Sequence, residues 1–197
     1  ICSGLVGSEM CIRDRSIPKH IEHINVTMGY PLRNTTTSNY FDAYLTLLVN
    51  AERFGKSSEL TFHYKDVLKW IQLPLTQSIL GKEACKVIRD HIIDQNWVFI
   101  RKDKIAWMNE HLDLKLPTSF GVSATIEQCL GFIAIAKSYF TKEKDEGKKR
   151  DLELEYLFHF AKLFNQLDKL TSEYSFLDTA KGMYSLYRQL LSHCSID

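Results

Sequence analysis

The chain has 197 residues, 45% of them hydrophobic, which is enough apolar material for a folded core. Lys and Arg number 25 against 24 Asp and Glu, so the net charge of +1 argues against a partner held chiefly by charge, although a local basic face would not alter this total. No apolar run is long enough to span a bilayer, and we expect no membrane contact.

The first 15 residues resemble the translated read-through of a sequencing adapter. We therefore expect residues 1–15 to be an artefact that does not pack, and we set them aside. Three cysteines then remain, Cys85, Cys129 and Cys194, without a Cys-x-x-Cys pair among them. This spacing predicts neither a zinc site nor a disulfide framework, and it indicates reduced thiols in a cytoplasmic protein.

A short strand and a turn come next. Ile24 to Met28 alternate apolar and polar residues, which predicts one extended segment. Gly29 relaxes the backbone, and Pro31 fixes its own φ and pushes Tyr30 toward an extended conformation, so we expect the strand to end here. The hydroxyls of Thr35 to Ser38 can cap the helix that follows. The residues alone leave two interpretations open, an ordinary strand-to-helix turn and a turn that contacts a ligand.

The remainder of the chain is predicted to be mostly α. Apolar residues recur at helical spacing in eight segments, residues 39–54 (ended by Gly55), 62–71, 75–80, 82–95, 104–112, 124–142, 150–172 and 175–193. Residues 97–100 are predicted to form either a short strand or a buried extended loop, and residues 143–149 a charged connector. We expect Val87 and Phe158 to lie on the buried faces of their helices.

Two motif-like triplets do not predict a site. Gly55-Lys56-Ser57 imitates the end of a phosphate-binding loop, but the earlier glycine is missing and the triplet follows a helix instead of a strand. Glu146-Gly147-Lys148 imitates half of a metal-dependent nuclease site, but it lies in a connector of mixed charge. The surrounding basic cluster, residues 142–150, also contains acids, which favours a solvated surface over a phosphate track.

Histidines and tryptophans are interpreted as structural. None of the seven histidines has metal-ligand spacing, so we interpret His91 and His159 as core or boundary side chains. Trp70, Trp97 and Trp107 have rings that can stack on nucleobases, but each lies among hydrophobic residues and is predicted to pack in the core.

One segment resembles a known family. Residues 25–35 read NVTMGYPLRNT, similar to the NVTMGYPLKNT segment of bacterial helicase-nuclease subunits of the AddB type. These are PD-(D/E)XK nuclease family proteins with an inactivated superfamily I helicase region. Weaker matches follow in the same order at residues 62–68, 73–75, 95–100 and 187–191, so the resemblance covers residues 21–197. Only the first motif is specific to the family.

The resemblance implies a domain arrangement. In active helicases of this superfamily the matching turn begins the second motor domain, and a helical domain called 2B is inserted just after it. It follows that residues 16–37 would begin a degenerate second motor domain and residues 38–197 would form a helical domain resembling the 2B insertion. Active motors place an Arg beside an aromatic residue to reach nucleotide phosphates. Here the Arg comes only at Arg33, so Gly29, Tyr30, Pro31 and Arg33 would mark a degenerate nucleotide site.

The implied function is structural. By resemblance, the chain is a non-catalytic helical fragment of a subunit that processes DNA double-strand breaks, and it shapes the DNA path or contacts a helicase-nuclease partner subunit. The nuclease centre of the family, which would use Mg²⁺, lies further downstream, so we expect no catalytic residue, cofactor or metal in this fragment. The alternative is a free-standing α-helical adaptor domain for protein interactions.

Overall fold

The computed structural model describes residues 30–55, 59–142, 147–173 and 178–196. For residues 147–149 and 195–196 it describes the backbone alone. The expected strand at Ile24 to Met28 and the expected artefact at residues 1–15 lie outside these ranges. The described residues are mostly helical, which confirms the prediction of a mostly α fold. They belong to one compact unit that runs from Tyr30 to Ile196.

The helices and strands follow one another in a simple order. The α-helices are α1 (Thr36–Phe54), α2 (Tyr64–Ile71), α3 (Pro74–Leu80), α4 (Lys82–Asp94), α5 (Lys102–His111), α6 (Val122–Lys142), α7 (Gly147–Glu173) and α8 (Ala180–Ser192). The strands are β1 (Tyr30–Pro31), β2 (Phe62–His63), β3 (Phe99–Ile100) and β4 (Ser195–Ile196), with a 3-10 turn at Leu32–Asn34 after β1. β1 pairs with β4 and β2 with β3, both antiparallel.

Both ends of α1 are set by local chemistry. The Thr35 hydroxyl accepts a hydrogen bond from the N–H of Ser38 at 3.1 Å, which satisfies one free donor of the first turn. Gly55 ends the helix with a φ of −73°, so its role does not depend on a left-handed backbone. A Cβ at this position would lie 2.0 Å from the carbonyl oxygen of Glu59, so the close approach of the backbone requires glycine.

Helix α1 lies in the middle of the core. The ring of Tyr40 stacks on Phe132 of α6 at a centroid distance of 3.6 Å. Phe41 meets Phe160 and Phe164 of α7 at 5.0 and 4.7 Å. All five of these rings are buried, so one helix joins the early and the late parts of the chain through aromatic contacts.

The segment predicted as a helix over residues 62–71 begins differently. Phe62 and His63 form β2 and pair with Ile100 and Phe99, and the helix starts only at Tyr64. The helical prediction for Phe62 and His63 is therefore wrong, because their backbone groups pair with residues that lie 38 and 36 positions further along the chain. Of the two predictions for residues 97–100, the strand is confirmed at Phe99 and Ile100.

Two side chains predicted to be buried are exposed. Val87 is 44% exposed and Phe158 is 57% exposed. Successive helix residues are rotated by about 100°, and both side chains lie well away from the centre of the buried face. In α7, for example, the buried face is centred on Phe160, whose side chain is completely enclosed. The prediction for the connector at residues 143–149 is also corrected, because α7 already begins at Gly147, while residues 143–146 lie outside the description.

Candidate functional site

The turn that carries the family-like motif joins the two ends of the compact unit. Tyr30 and Pro31 pair with Ile196 and Ser195. The N–H of Leu32 donates to the carbonyl oxygen of Cys194 at 3.1 Å, next to the ladder. The Leu32 side chain is completely buried. The turn is therefore fixed both to the end of the unit and to its core.

The four motif residues differ in what they present. Tyr30 is half exposed, and its hydroxyl donates to the carbonyl oxygen of Asn34 at 3.1 Å. Arg33 is exposed, and we find no hydrogen bond or ion pair between it and another described residue. Pro31 is partly buried in the ladder, and Gly29 lies outside the described residues. The structure thus places Tyr30 and Pro31 together in a strand and leaves Arg33 at the surface.

Acidic side chains lie close to this turn. The pKa of the Tyr156 hydroxyl is raised by burial first, and then by Glu153, Tyr30 and Glu155, in that order. The Glu153 carboxylate also accepts a hydrogen bond from the Thr36 hydroxyl at 3.1 Å, so it sits at the start of α1. Negative charge at the start of α1, directly after the turn, disfavours a phosphate group there. The surroundings of the turn therefore suit a structural role better than an anion site.

The histidine and tryptophan side chains near α4 form one packed cluster. The His91 ring stacks on Trp107 at 3.9 Å and meets the edge of Trp97 at 4.8 Å. Both indoles are partly buried against the core. The ammonium of Lys104 lies 4.9 Å from the centroid of the Trp97 ring. The interpretation of His91 as a boundary residue and of these tryptophans as packing residues is confirmed, and Trp70 is completely buried.

Polar groups inside the core are neutral. Burial raises the pKa of the Tyr40 and Tyr44 hydroxyls well above the ordinary value, and it does the same for the Cys129 thiol. The Tyr44 hydroxyl donates to Oε1 of Gln128 at 2.7 Å. Groups that stay protonated and enclosed cannot serve as bases or nucleophiles at neutral pH. We therefore interpret Tyr40, Tyr44 and Cys129 as packing residues of the core.

An exposed group of apolar and aromatic side chains was missed by sequence reasoning. Phe54 and Phe99, 44% and 40% exposed, meet edge to face at 5.7 Å. His63 lies 5.6 Å from Phe99 and 6.1 Å from Phe54, and Val98 beside them is exposed. We call Phe54, His63, Val98 and Phe99 the aromatic surface. Local periodicity assigns Phe54 to the apolar stripe of α1, and only the pairing of β2 with β3 brings the four together.

An open groove lies beside the aromatic surface. Its volume is about 450 Å³, and its lining is formed by Asn96, Val98, Phe99, Arg101, Asp103 and Lys104. The Lys104 ammonium donates to the carbonyl oxygen of Phe99 at 3.2 Å. The groove therefore joins an apolar wall to a rim that carries two cations and one acid.

No protein-family model, curated protein or solved structure matches this chain. Among the described residues there is no group of three or more His, Cys, Asp or Glu side chains that could hold a metal ion. Within the same ranges, no helix is long and apolar enough to cross a membrane.

Proposed function

We propose that this chain is a non-catalytic helical scaffold within a bacterial subunit that processes DNA double-strand breaks. The observation that carries the proposal is the position of the two ends of the compact unit, because β1 and β4 pair side by side. A domain inserted into a host protein must leave the host close to where it enters, and paired terminal strands, about 4.8 Å apart, meet that requirement.

The chemistry of the described residues supports a structural role. Within the turn, Tyr30 and Pro31 pair with β4, the N–H of Leu32 donates to the carbonyl oxygen of Cys194, and the Thr35 hydroxyl caps α1. The Glu153 carboxylate lies at the start of α1, where it accepts a hydrogen bond from the Thr36 hydroxyl. The enclosed hydroxyls and the Cys129 thiol stay protonated. Catalysis and Mg²⁺ would belong to a downstream nuclease domain of the parent protein. With a net charge of +1, we expect only weak DNA binding by this chain alone, within a cytoplasmic assembly.

Reading the genomic frame beyond codon 197 tests this proposal. We expect a Gly-Glu-Pro-Leu segment followed by a nuclease Asp and a Glu-x-Lys triplet. The protein from the complete frame should degrade linear duplex DNA with Mg²⁺, and an alanine at that downstream lysine should abolish degradation, since the lysine acts at the attacking water. A stop codon after Asp197, or a continuation without these segments, would overturn the proposal.

A second function, a free-standing adaptor domain for protein interactions, is favoured by the aromatic surface. Phe54, Val98 and Phe99 expose apolar area that packing within the described residues does not use. Adjacent exposed hydrophobic groups of this kind mark interaction sites more often than empty surface. A frame that ends at codon 197 would select this function, because the nuclease domain would then be absent.

A further inference from the structure

We propose that the aromatic surface docks an acidic peptide segment of a partner protein, a segment that carries one aromatic or aliphatic anchor. This inference deepens the proposed scaffolding role and rests on it, since a scaffold of a multisubunit enzyme needs a contact for its partner. It commits to one occupant, a peptide that combines carboxylates with an apolar side chain. Three features of the structure lead to it: held apolar rings, an adjacent groove and unpaired cations.

The exposed rings are held in place before any partner binds. Phe99 and His63 are a registered pair of the β2–β3 ladder, and the N–H of Tyr64 donates to the carbonyl oxygen of Val98 at 3.1 Å. The Phe54 ring rests against both of them. Rings held in this way lose little conformational freedom on binding, and exposed aromatic anchors dominate the binding energy of many interfaces.

The groove offers a place for the anchor. Its volume of about 450 Å³ falls within the range of roughly 300–1,000 Å³ typical of binding pockets. Val98 and Phe99 form its apolar wall, and Arg101 and Lys104 stand on its rim. An apolar side chain that enters the groove therefore brings its neighbouring residues next to positive charge.

The charges around the surface favour an acidic partner. Four exposed cations lie within three residues of it in the sequence, Arg53, Lys65, Arg101 and Lys102. In the described part of the chain none of the four forms an ion pair. Of the acids nearby, Glu52 and Asp66 already accept hydrogen bonds from Ala180 and Asn50. The exposed acids Glu59, Asp94 and Asp103 remain, so four cations stand against three free carboxylates here.

A peptide fits these observations better than a nucleic acid. Stacking of successive bases needs free ring faces with cations alongside. Phe54 and Phe99 meet at an interplanar angle of 63°, so they do not form a parallel series. The face of Trp97 carries the Lys104 ammonium, which also donates to the Phe99 carbonyl, and Trp107 is covered by His91. The geometry suits the insertion of one anchor.

Selection of phage-displayed random dodecapeptides on the complete 197-residue chain tests the inference. We expect enriched peptides to combine Asp or Glu with one large apolar residue. Fluorescence polarisation of the best labelled peptide should show at least about tenfold weaker binding to Phe99→Ser, and several-fold weaker binding to Arg101→Glu. The control is Phe158→Ser, which removes a phenylalanine from α7 that is 57% exposed, against 40% for Phe99, and should leave binding unchanged.

Circular dichroism of each variant separates loss of binding from loss of folding, and Arg101→Glu keeps the aromatic rings in place if Phe99→Ser does not fold. Failure to enrich acidic peptides, or equal binding by Phe99→Ser and the unsubstituted chain, would overturn the inference. A labelled oligothymidylate of about 20 nucleotides is the second probe. If it binds and Phe99→Ser abolishes that binding, the surface is a nucleic-acid site instead. The genomic frame decides the proposed function independently of both probes.

Discussion

Two tyrosines in α1 offer a matched test of how the core is held together. Tyr40 and Tyr44 lie one helical turn apart, and both side chains are buried. The Tyr44 hydroxyl donates to Oε1 of Gln128 at 2.7 Å, whereas the Tyr40 hydroxyl has no hydrogen-bond partner. Burial raises the pKa of Tyr40 and the nearby Trp70 side chain opposes that rise, but the N–H of Trp70 also lacks a partner at hydrogen-bond geometry. Replacing each tyrosine with phenylalanine removes a hydroxyl oxygen that is hydrogen-bonded at position 44 and without a partner at position 40.

The expected energies differ in sign. Tyr44→Phe loses a hydrogen bond and leaves the Gln128 oxygen without its donor, so the free energy of unfolding should fall by about 1–2 kcal/mol. Tyr40→Phe keeps the ring contact with Phe132 and removes a buried hydroxyl that makes no hydrogen bond. Stability should therefore stay unchanged or rise by up to about 1 kcal/mol. The two variants should differ by about 2 kcal/mol, which corresponds to a difference in Tm of about 4–8 °C for a chain of this length.

Urea unfolding followed by circular dichroism measures the difference directly. Both variants should keep the m-value of the unsubstituted chain, because neither changes the surface exposed on unfolding. Thermal melts under the same conditions give an independent estimate. If Tyr40→Phe costs as much as Tyr44→Phe, the hydroxyl of Tyr40 has a partner in solution and the reasoning about unsatisfied groups is refuted.

Three further substitutions test the backbone at the end of α1 and within α6, and the charge of Asp42 in α1. Gly55→Ala should lower the free energy of unfolding by about 2 kcal/mol, because its Cβ would meet the Glu59 carbonyl oxygen. Gly131 has open space around it inside α6, so Gly131→Ala should raise the free energy of unfolding by about 0.5–1 kcal/mol. Equal effects of the two substitutions in chemical denaturation would contradict this expectation. Burial raises the pKa of Asp42 above 3.8, so its contribution to stability is present at low pH and is lost as pH rises through the folded-state pKa. Asp42→Asn should therefore become more stable relative to the unsubstituted chain as the pH rises from about 4 to 7. Thermal melts across this range measure the difference in Tm between the two proteins, and a difference that does not change with pH would contradict the expectation.

The long helices were predictable, whereas of the short strands with described partners only β3 was predicted, as one of two alternatives for residues 97–100. The stripe at residues 39–54 predicted a helix that the structure places at Thr36–Phe54, because periodicity over many residues averages out local exceptions. β2 has only two residues, and its partner Phe99–Ile100 lies far along the chain. No local pattern encodes such a ladder, so residues 62–63 read as the start of the helix that follows them. Phe158 was wrongly predicted to be buried because the prediction followed its hydrophobicity and not its direction around the helix axis, which points away from the buried face.

The candidate turn was predicted only in part. The motif drew attention to Tyr30 and Arg33, and the cap at Thr35 followed from its hydroxyl. The partners of the turn come from distant positions that no local rule connects with it. Cys194 supplies the carbonyl that receives the Leu32 N–H, and Glu153 brings negative charge to the same region. The environment of a turn, unlike its conformation, depends on the complete fold.

The pairing of β1 with β4 depends on the helical core. A ladder of two residues on each side is too short to be stable alone, so its geometry must be imposed by what surrounds it. Leu32 is enclosed directly after β1, and Leu191 is buried at the end of α8, shortly before β4. These two anchors bring the ends together because each belongs to the same core. A host protein attached through β1 and β4 would therefore hold the helical body at a single point.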